Sequence, residues 1–273
     1  MQLELTRNCC RTSFPLRYKL AAERGVSFQE SFVDIKEQAI KKLANSMRIY
    51  VETHMDFQRL KTIDIEEAVE NLDRAFEAKL EAFHSLYDVT KDDLDYFSYG
   101  DTAAIILMRN AIHHRDHLLF QSWNHNMALN EGYKKHLGAE FLLAGYDVLD
   151  STARMRYFYK LEDFYLRIDE SLQSPYIESR MGSKNRKKLL SQLGSELNFS
   201  DIKQKAESER YPIKQVYVNV MPIFISAVCR AFTALKEKGV EFKGFDARAY
   251  EAPFINELKV DFAKVVYEPL RIT

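Results

Sequence analysis

The chain has 273 residues, 46% of them hydrophobic, and its 39 Lys+Arg against 40 Asp+Glu leave a formal net charge of -1. That composition excludes disordered and fibrous classes and supports a sizeable core without disulfide or metal staples; with no overall charge excess, any polyanion site must be a local patch. Three cysteines, Cys9, Cys10 and Cys229, form neither a disulfide framework nor a spaced zinc site, and they fit a reducing, cytoplasmic setting. The N-terminus, MQLELTRN, lacks the basic start and apolar middle of a secretory signal. The most apolar stretch, Val216 to Cys229, is interrupted by Asn219, Pro222 and Ser226 and is too short to span a bilayer, so no membrane role is expected.

With 9 Gly and 6 Pro there are few break points, which favours long helices over many short strands. From Ser27, apolar residues at Phe28, Phe32, Ile35, Ala39, Leu43, Met47 and Tyr50 follow the three-to-four spacing of a helix stripe, and Ser27 with Glu30 fits a capping box. A second helix is predicted from Asp64 to about Tyr87, with Ile65, Ala68, Val69, Leu72, Phe76, Leu80 and Phe83 on one face. The pair should form an antiparallel hairpin around Thr62, Ile63 and Asp64. A third helix begins near Gly100 with Asp101 as its cap and is apolar nearly all round until Arg109, the pattern of a buried helix that emerges into a cleft or an interface. Asp92, Asp93 and Asp95 read as a helix-start turn rather than a metal site. Mixed aromatic and β-branched residues between Gly138 and Ile168 allow a short hairpin or extended segment, a short helix is expected at Ser183 to Leu193, and a last long helix at Pro212 to Lys238, bent at Pro222.

Five of the seven histidines fall between positions 113 and 136, and His113, His114 and His117 lie within little more than one turn of the third helix. His113 and His117 share a helix face that could chelate zinc. The metalloprotease pattern, however, needs Glu where His114 stands, and nothing fixes a third ligand among His125, His136 and the acidic residues, so neither a metal nor any other cofactor is expected. His114-Arg115-Asp116 spells the start of a kinase catalytic loop, but Gln121 stands where that loop has Asn, and the Gly-rich and Asp-Phe-Gly elements are missing.

Arg109, Asn110 and His114 make a different pattern: an arginine, a polar residue directly after it and a histidine separated from the arginine by four residues, late in a buried helix. It resembles the Arg-X4-6-His signature of the HEPN superfamily of helical ribonucleases and nucleotide-binding modules. The likeness covers roughly residues 28 to 130, where two amphipathic helices precede the motif helix. It implies a mainly α-helical, HEPN-like bundle with extra helices. The expected organisation is an extension at 1–27, the helical core at 28–130, an insertion or mixed extension at 131–210 and C-terminal helices at 211–273. It also implies a metal-independent endoribonuclease of toxin or phage-defence type, acting on RNA at a site shared across a homodimer, with a neutralising or defence-system protein as a further partner. The alternative is a non-catalytic module binding nucleotide, RNA or protein in the same cleft.

The chemistry of the residues agrees. Metal-free RNA cleavage needs a base for the ribose 2′-hydroxyl, a cation for the developing charge and an acid for the leaving oxygen. Histidine serves as base or acid near neutrality, and Arg109 is a permanent planar cation that grips phosphate bidentately. Asn110 lies one turn before His114, and Arg109 one turn before His113, which is the second candidate for the functional histidine. The all-apolar turns from Ala103 to Met108 call for cover from more than one neighbour, which a two-fold dimer would supply. A basic cluster of Arg180, Lys184, Arg186, Lys187 and Lys188 is a candidate RNA-backbone contact. Tyr157, Phe158 and Tyr159 are better read as core than as base-stacking platforms.

Overall fold

The computed structural model describes residues 34–114, 118–149 and 155–273, with His114 described in its backbone alone. The capping box at Ser27 and the 1–27 extension lie outside the described residues, as do His117 and the His-Arg-Asp tail at 115 and 116. Residues Asp34–Thr273 form one compact unit.

Helix α1 (Ile35–Lys61) starts where the Asp34 carboxylate accepts from the Lys36 N–H, and α2 (Ile65–Thr90) where Asp64 caps Glu67. The turn between them falls at residues 62–64, and their apolar stripes, Leu43, Met47 and Tyr50 on one and Leu72, Phe76, Leu80 and Phe83 on the other, are buried in the same core. A short 3-10 turn (Tyr96–Ser98), capped by Asp95, leads into α3 (Gly100–His114). Then come α4 (Trp123–Ala128), α5 (Gly132–Lys135), strand β1 (Glu140–Leu149), strand β2 (Phe158–Lys160) and α6 (Leu161–Ile168). The chain continues through α7 (Ser183–Glu196), α8 (Phe199–Ser208), β3 (Val216–Asn219), α9 (Val220–Glu237) and α10 (Phe245–Ala252) to β4 (Lys259–Arg271). The protein is therefore mainly helical, with one four-stranded sheet in the order β2-β3-β1-β4.

In that sheet β1 runs parallel to β3, pairing Leu142 with Val216, and antiparallel to β4, with a register break at Tyr146 and Asp147; β2 pairs antiparallel with β3. Alternation along β1 sorts its side chains between two faces. Leu142 and Ala144 enter the main core, whereas Phe141 and Leu143 join Tyr217 on the other face, where the Trp123 ring meets Phe141 and Tyr217 edge-on at 5.1 and 4.8 Å. Among the described residues no helix is long and apolar enough to cross a membrane.

Several expectations are corrected. The segment Pro212 to Asn219 is not helical: a 3-10 turn leads into β3, and α9 begins at Val220 with Asn219 as its cap. Pro222 then sits in the first turn, where its missing N–H breaks no helical bond, and the helix runs without a break to Glu237. Val216, Tyr217 and Val218 are fully buried, and a short apolar run of that kind cannot be told from helix by periodicity. The C-terminal region ends in a thirteen-residue strand rather than in helices alone, with Pro269 on an edge strand where one missing donor is tolerated. Strands β1 and β2 make no hairpin with each other. Asp101 lies inside the first turn of α3, and its buried carboxylate accepts from Ser226 at 2.6 Å and from Arg230 at 3.1 Å, tying α3 to α9. Ala103 to Met108 are buried by the chain's own core, so these turns do not require a second copy to cover them.

Candidate functional site

The motif helix leaves the core at Arg109. After nine consecutive buried positions, its side chain is 16% exposed and that of His113, one turn on, 51%. Both turn toward α2, where a residue not singled out in the sequence meets them. One oxygen of the Glu81 carboxylate, Oε2, accepts from Arg109 Nε at 3.0 Å and Nη2 at 2.8 Å, and the other, Oε1, lies 3.1 Å from His113 Nδ1. Arg109 Nη1 donates to Asn110 Oδ1 at 3.4 Å. Burial pushes the Glu81 carboxyl up, but Arg109 and His113 outweigh it and hold the group below the usual carboxylate range. Glu81 is thus a fixed anion that aligns a guanidinium and an imidazole.

Arg109 and His113 form a divide between two depressions. On one side is a cleft of about 240 Å³ that includes Arg74, Glu77 and Glu81. On the other is a groove of about 680 Å³ between α3 and α7, lined by His84, Asp95 and Phe97, by Asn110 beside the motif, and by Glu178, Arg180, Asn185, Lys188 and Gln192 opposite, so that it carries charges of both signs. Burial and the nearby Arg109 lower the pKa of His84.

Glycine sets the separation of the groove walls at one end. A Cβ on Gly100 would come within 3.3 Å of the Gln192 carbonyl and of Glu196, whose Oε2 accepts the Gly100 N–H at 2.6 Å. The far wall is held by buried charge: Arg167 donates to Glu178 at 2.5 Å and to the Tyr176 carbonyl at 2.8 Å. Arg186 clamps the same loop, donating to the carbonyls of Glu178 and Met181 and to Glu170.

The expected cluster of cations is therefore divided. Arg180 and Lys188 line the groove, Lys184 and Lys187 are exposed on α7 outside its lining, and Arg186 is engaged within the chain as a structural clamp. Arg109, Asn110 and His113 come together; the side chain of His114 lies outside the described residues. Tyr157 stacks on Phe76 at 3.9 Å with its hydroxyl on Asp73, and Tyr159 is buried, both core roles. Among the described residues no three His, Cys, Asp or Glu side chains gather to hold a metal ion. Glu81, His84, Phe97, Asn185 and Gln192 were missed in the sequence, because each reaches the site by long-range packing and none stands out from its neighbours.

The fold and site define a mainly helical chain with an Arg/Glu/His constellation at the mouth of a polar groove lined by charges of both signs. Comparison with family models, with curated proteins and with solved structures finds no match to this chain.

Proposed function

We propose that this chain is a metal-independent endoribonuclease of toxin or phage-defence type, akin to the HEPN superfamily, that works as a homodimer. One observation carries the reading: a single carboxylate, Glu81, aligns Arg109 and His113 beside a groove whose opposite wall presents Arg180 and Lys188. In the reaction a histidine at position 113 or 114 takes the ribose 2′-hydroxyl proton and the 2′-oxygen attacks phosphorus. The phosphorus–5′-oxygen bond breaks, and a second imidazole returns a proton to the leaving oxygen. Arg109 carries the charge that builds on the phosphoryl oxygens, and Asn110 steadies its guanidinium. A two-fold partner would supply the second imidazole from the equivalent helix.

Labelled RNA incubated with the protein in EDTA tests this. Fragments ending in 2′,3′-cyclic phosphate that disappear with Arg109→Ala support the reading, and intact RNA sinks it. A second reading, a non-catalytic module that binds nucleotide, RNA or a protein partner in the same groove, is favoured by the fact that two Arg109 donors are already held by Glu81. Binding without fragments would support that alternative.

A further inference from the structure

Cleavage by the proposed route moves two protons, one off the 2′-hydroxyl and one onto the leaving 5′-oxygen, so two rings are needed and the motif helix accounts for one. His84 offers the other from the same chain. It stands one turn after Glu81 on α2, its side chain 16% exposed, and lines the α3–α7 groove together with Arg109, Asn110 and His113. Its Nδ1 lies 3.2 Å from the carboxylate of Asp88, one turn further on, and its ring meets Tyr87 edge-on at 5.3 Å. Among the described residues no hydrogen bond engages Nε2, so a ring held by Asp88 has that nitrogen left for the groove. The other carboxylates of the groove are occupied in their own walls: Glu178 accepts from Arg167 at 2.5 Å, and Asp95 accepts the Phe97 N–H at 3.1 Å. Burial first, then Arg109, lower the pKa of His84 against the pull of Asp88 and Glu81, which makes its charged form a ready proton donor.

We propose that His84 is the general acid of RNA cleavage, acting in the same chain as Arg109 and oriented by Asp88. The histidine at position 113 or 114 takes the 2′-hydroxyl proton and the 2′-oxygen bonds to phosphorus. As the phosphorus–5′-oxygen bond breaks, the imidazolium of His84, its Nδ1–H on Asp88, gives its Nε2 proton to the 5′-oxygen. The products are a 2′,3′-cyclic phosphate and a free 5′-hydroxyl, and one ring has gained the proton that the other has lost. A carboxylate behind an imidazole fixes its orientation and favours its charged form, so Asp88 is a positioning residue. The inference rests on the ribonuclease reading and departs from it at one point: the second imidazole comes from the chain itself, so each protomer carries a complete set of groups.

The experiment uses the full chain and two labelled strands: an RNA, and a copy in which sulfur replaces the bridging 5′-oxygen at the bond the wild-type chain cuts. A thiolate leaves without a proton, because a thiol is a far stronger acid than an alcohol. His84→Gln should slow cleavage of the ordinary strand by about 10² to 10⁴, the cost of losing a catalytic acid, and leave the sulfur strand near the wild-type rate. Arg109→Ala should slow both, since charge builds on the phosphoryl oxygens in either case. Asp88→Asn, at an exposed position, should repeat the His84→Gln pattern more weakly. Equal slowing of both strands by His84→Gln, with circular dichroism unchanged, or undiminished cleavage of the ordinary strand overturns the proposal. If the Gln chain does not fold, the Asp88→Asn pattern decides alone, and equal slowing of both strands overturns the proposal there too. Cleavage restored by mixing His84→Gln with Arg109→Ala chains also overturns it, because two groups that act within one chain cannot be supplied by different chains. A wild-type chain that cuts neither strand removes the ribonuclease reading and this assignment with it, whereas the other outcomes leave that reading standing.

Discussion

Glu81 and Arg109, twenty-eight residues apart in the chain, meet through two hydrogen bonds to one carboxylate oxygen, at 3.0 and 2.8 Å. The guanidinium is thereby held flat beside α2, and the second carboxylate oxygen remains for His113. A fixed geometry of this kind matters to chemistry because misorientation by about 1 Å costs rate even when every group is present. Glu81→Gln keeps the shape and removes the charge. In the RNA-cleavage assay it should lower the rate by about 10- to 100-fold, with Glu81→Asp intermediate and circular dichroism unchanged. A Gln variant at full rate would show that the carboxylate aligns nothing of importance.

Arg109→Ala and the two histidine variants test the reacting groups themselves. Loss of a catalytic acid or base typically costs about 10² to 10⁴ in rate and loss of a charge-stabilising donor about 10² to 10³, so either His113→Ala or His114→Ala should fall in the first range and Arg109→Ala in the second. Whichever histidine variant falls further identifies the functional ring. Mixing an Arg109→Ala chain with the inactive histidine variant should restore cleavage if two chains share one cleft. Light scattering giving a 31.9 kDa particle with undiminished cleavage would remove the dimer from the mechanism.

Lys79 gives a prediction about stability. Its amine is 1% exposed, 3.6 Å from the centre of the Tyr50 ring, 4.4 Å from those of Phe76 and Phe224, and bonded to Met221 Sδ at 2.9 Å. Burial holds its pKa well below the ordinary lysine value. The unfolded chain, with its amine near the reference value of about 10.4, therefore binds more protons than the folded one, and stability rises with pH across the interval between the two values. Lys79→Met fills the same space without a titrating group. It should gain about 1–3 kcal/mol at pH 7 and flatten the rise toward alkaline pH, measured by urea unfolding at pH 7 and pH 9.5. A Met variant less stable at pH 7 would mean that the ring faces hold a stabilising ammonium.

Asp163 works in the opposite sense. It is buried in α6, where it accepts the Phe120 N–H at 2.8 Å, and burial pushes its carboxyl up to about 7. Here the folded chain binds more protons than the unfolded one, so stability falls as pH rises from the ordinary carboxylate range to about 7 and stays low above it. Asp163→Asn can still accept from Phe120 and carries no charge. It should raise the melting temperature by several degrees at pH 8 and change it little at pH 4.5. Equal effects at the two pH values would contradict the assignment.

The helical hairpin was legible because amphipathic helices write their contacts locally: Leu43, Met47 and Tyr50, or Leu72, Phe76 and Leu80, announce a buried face within three turns. The emergence of α3 at Arg109 was legible for the same reason. Strand β3 was not, because a strand buried on both faces has no alternation to display. Nor was β4, whose pairing with β1 spans more than a hundred residues. Within the site, the Arg109–His113 spacing is a local fact, whereas Glu81 is one acid on a helix face of alternating charges and becomes special through tertiary contact alone.

The order of strands also dictates when the molecule can be finished during synthesis. Strand β1 ends at Leu149, yet its two neighbours, β3 and β4, start at Val216 and Lys259. At ribosomal speeds of roughly 5–20 residues per second, the apolar segment Phe141 to Ala144 waits several seconds for its first ladder partner. The edge that β4 covers stays open until Lys259–Arg271 have left the exit tunnel. Nascent chains stalled before position 259 should accordingly be captured by holdase chaperones, and the full-length chain released from them.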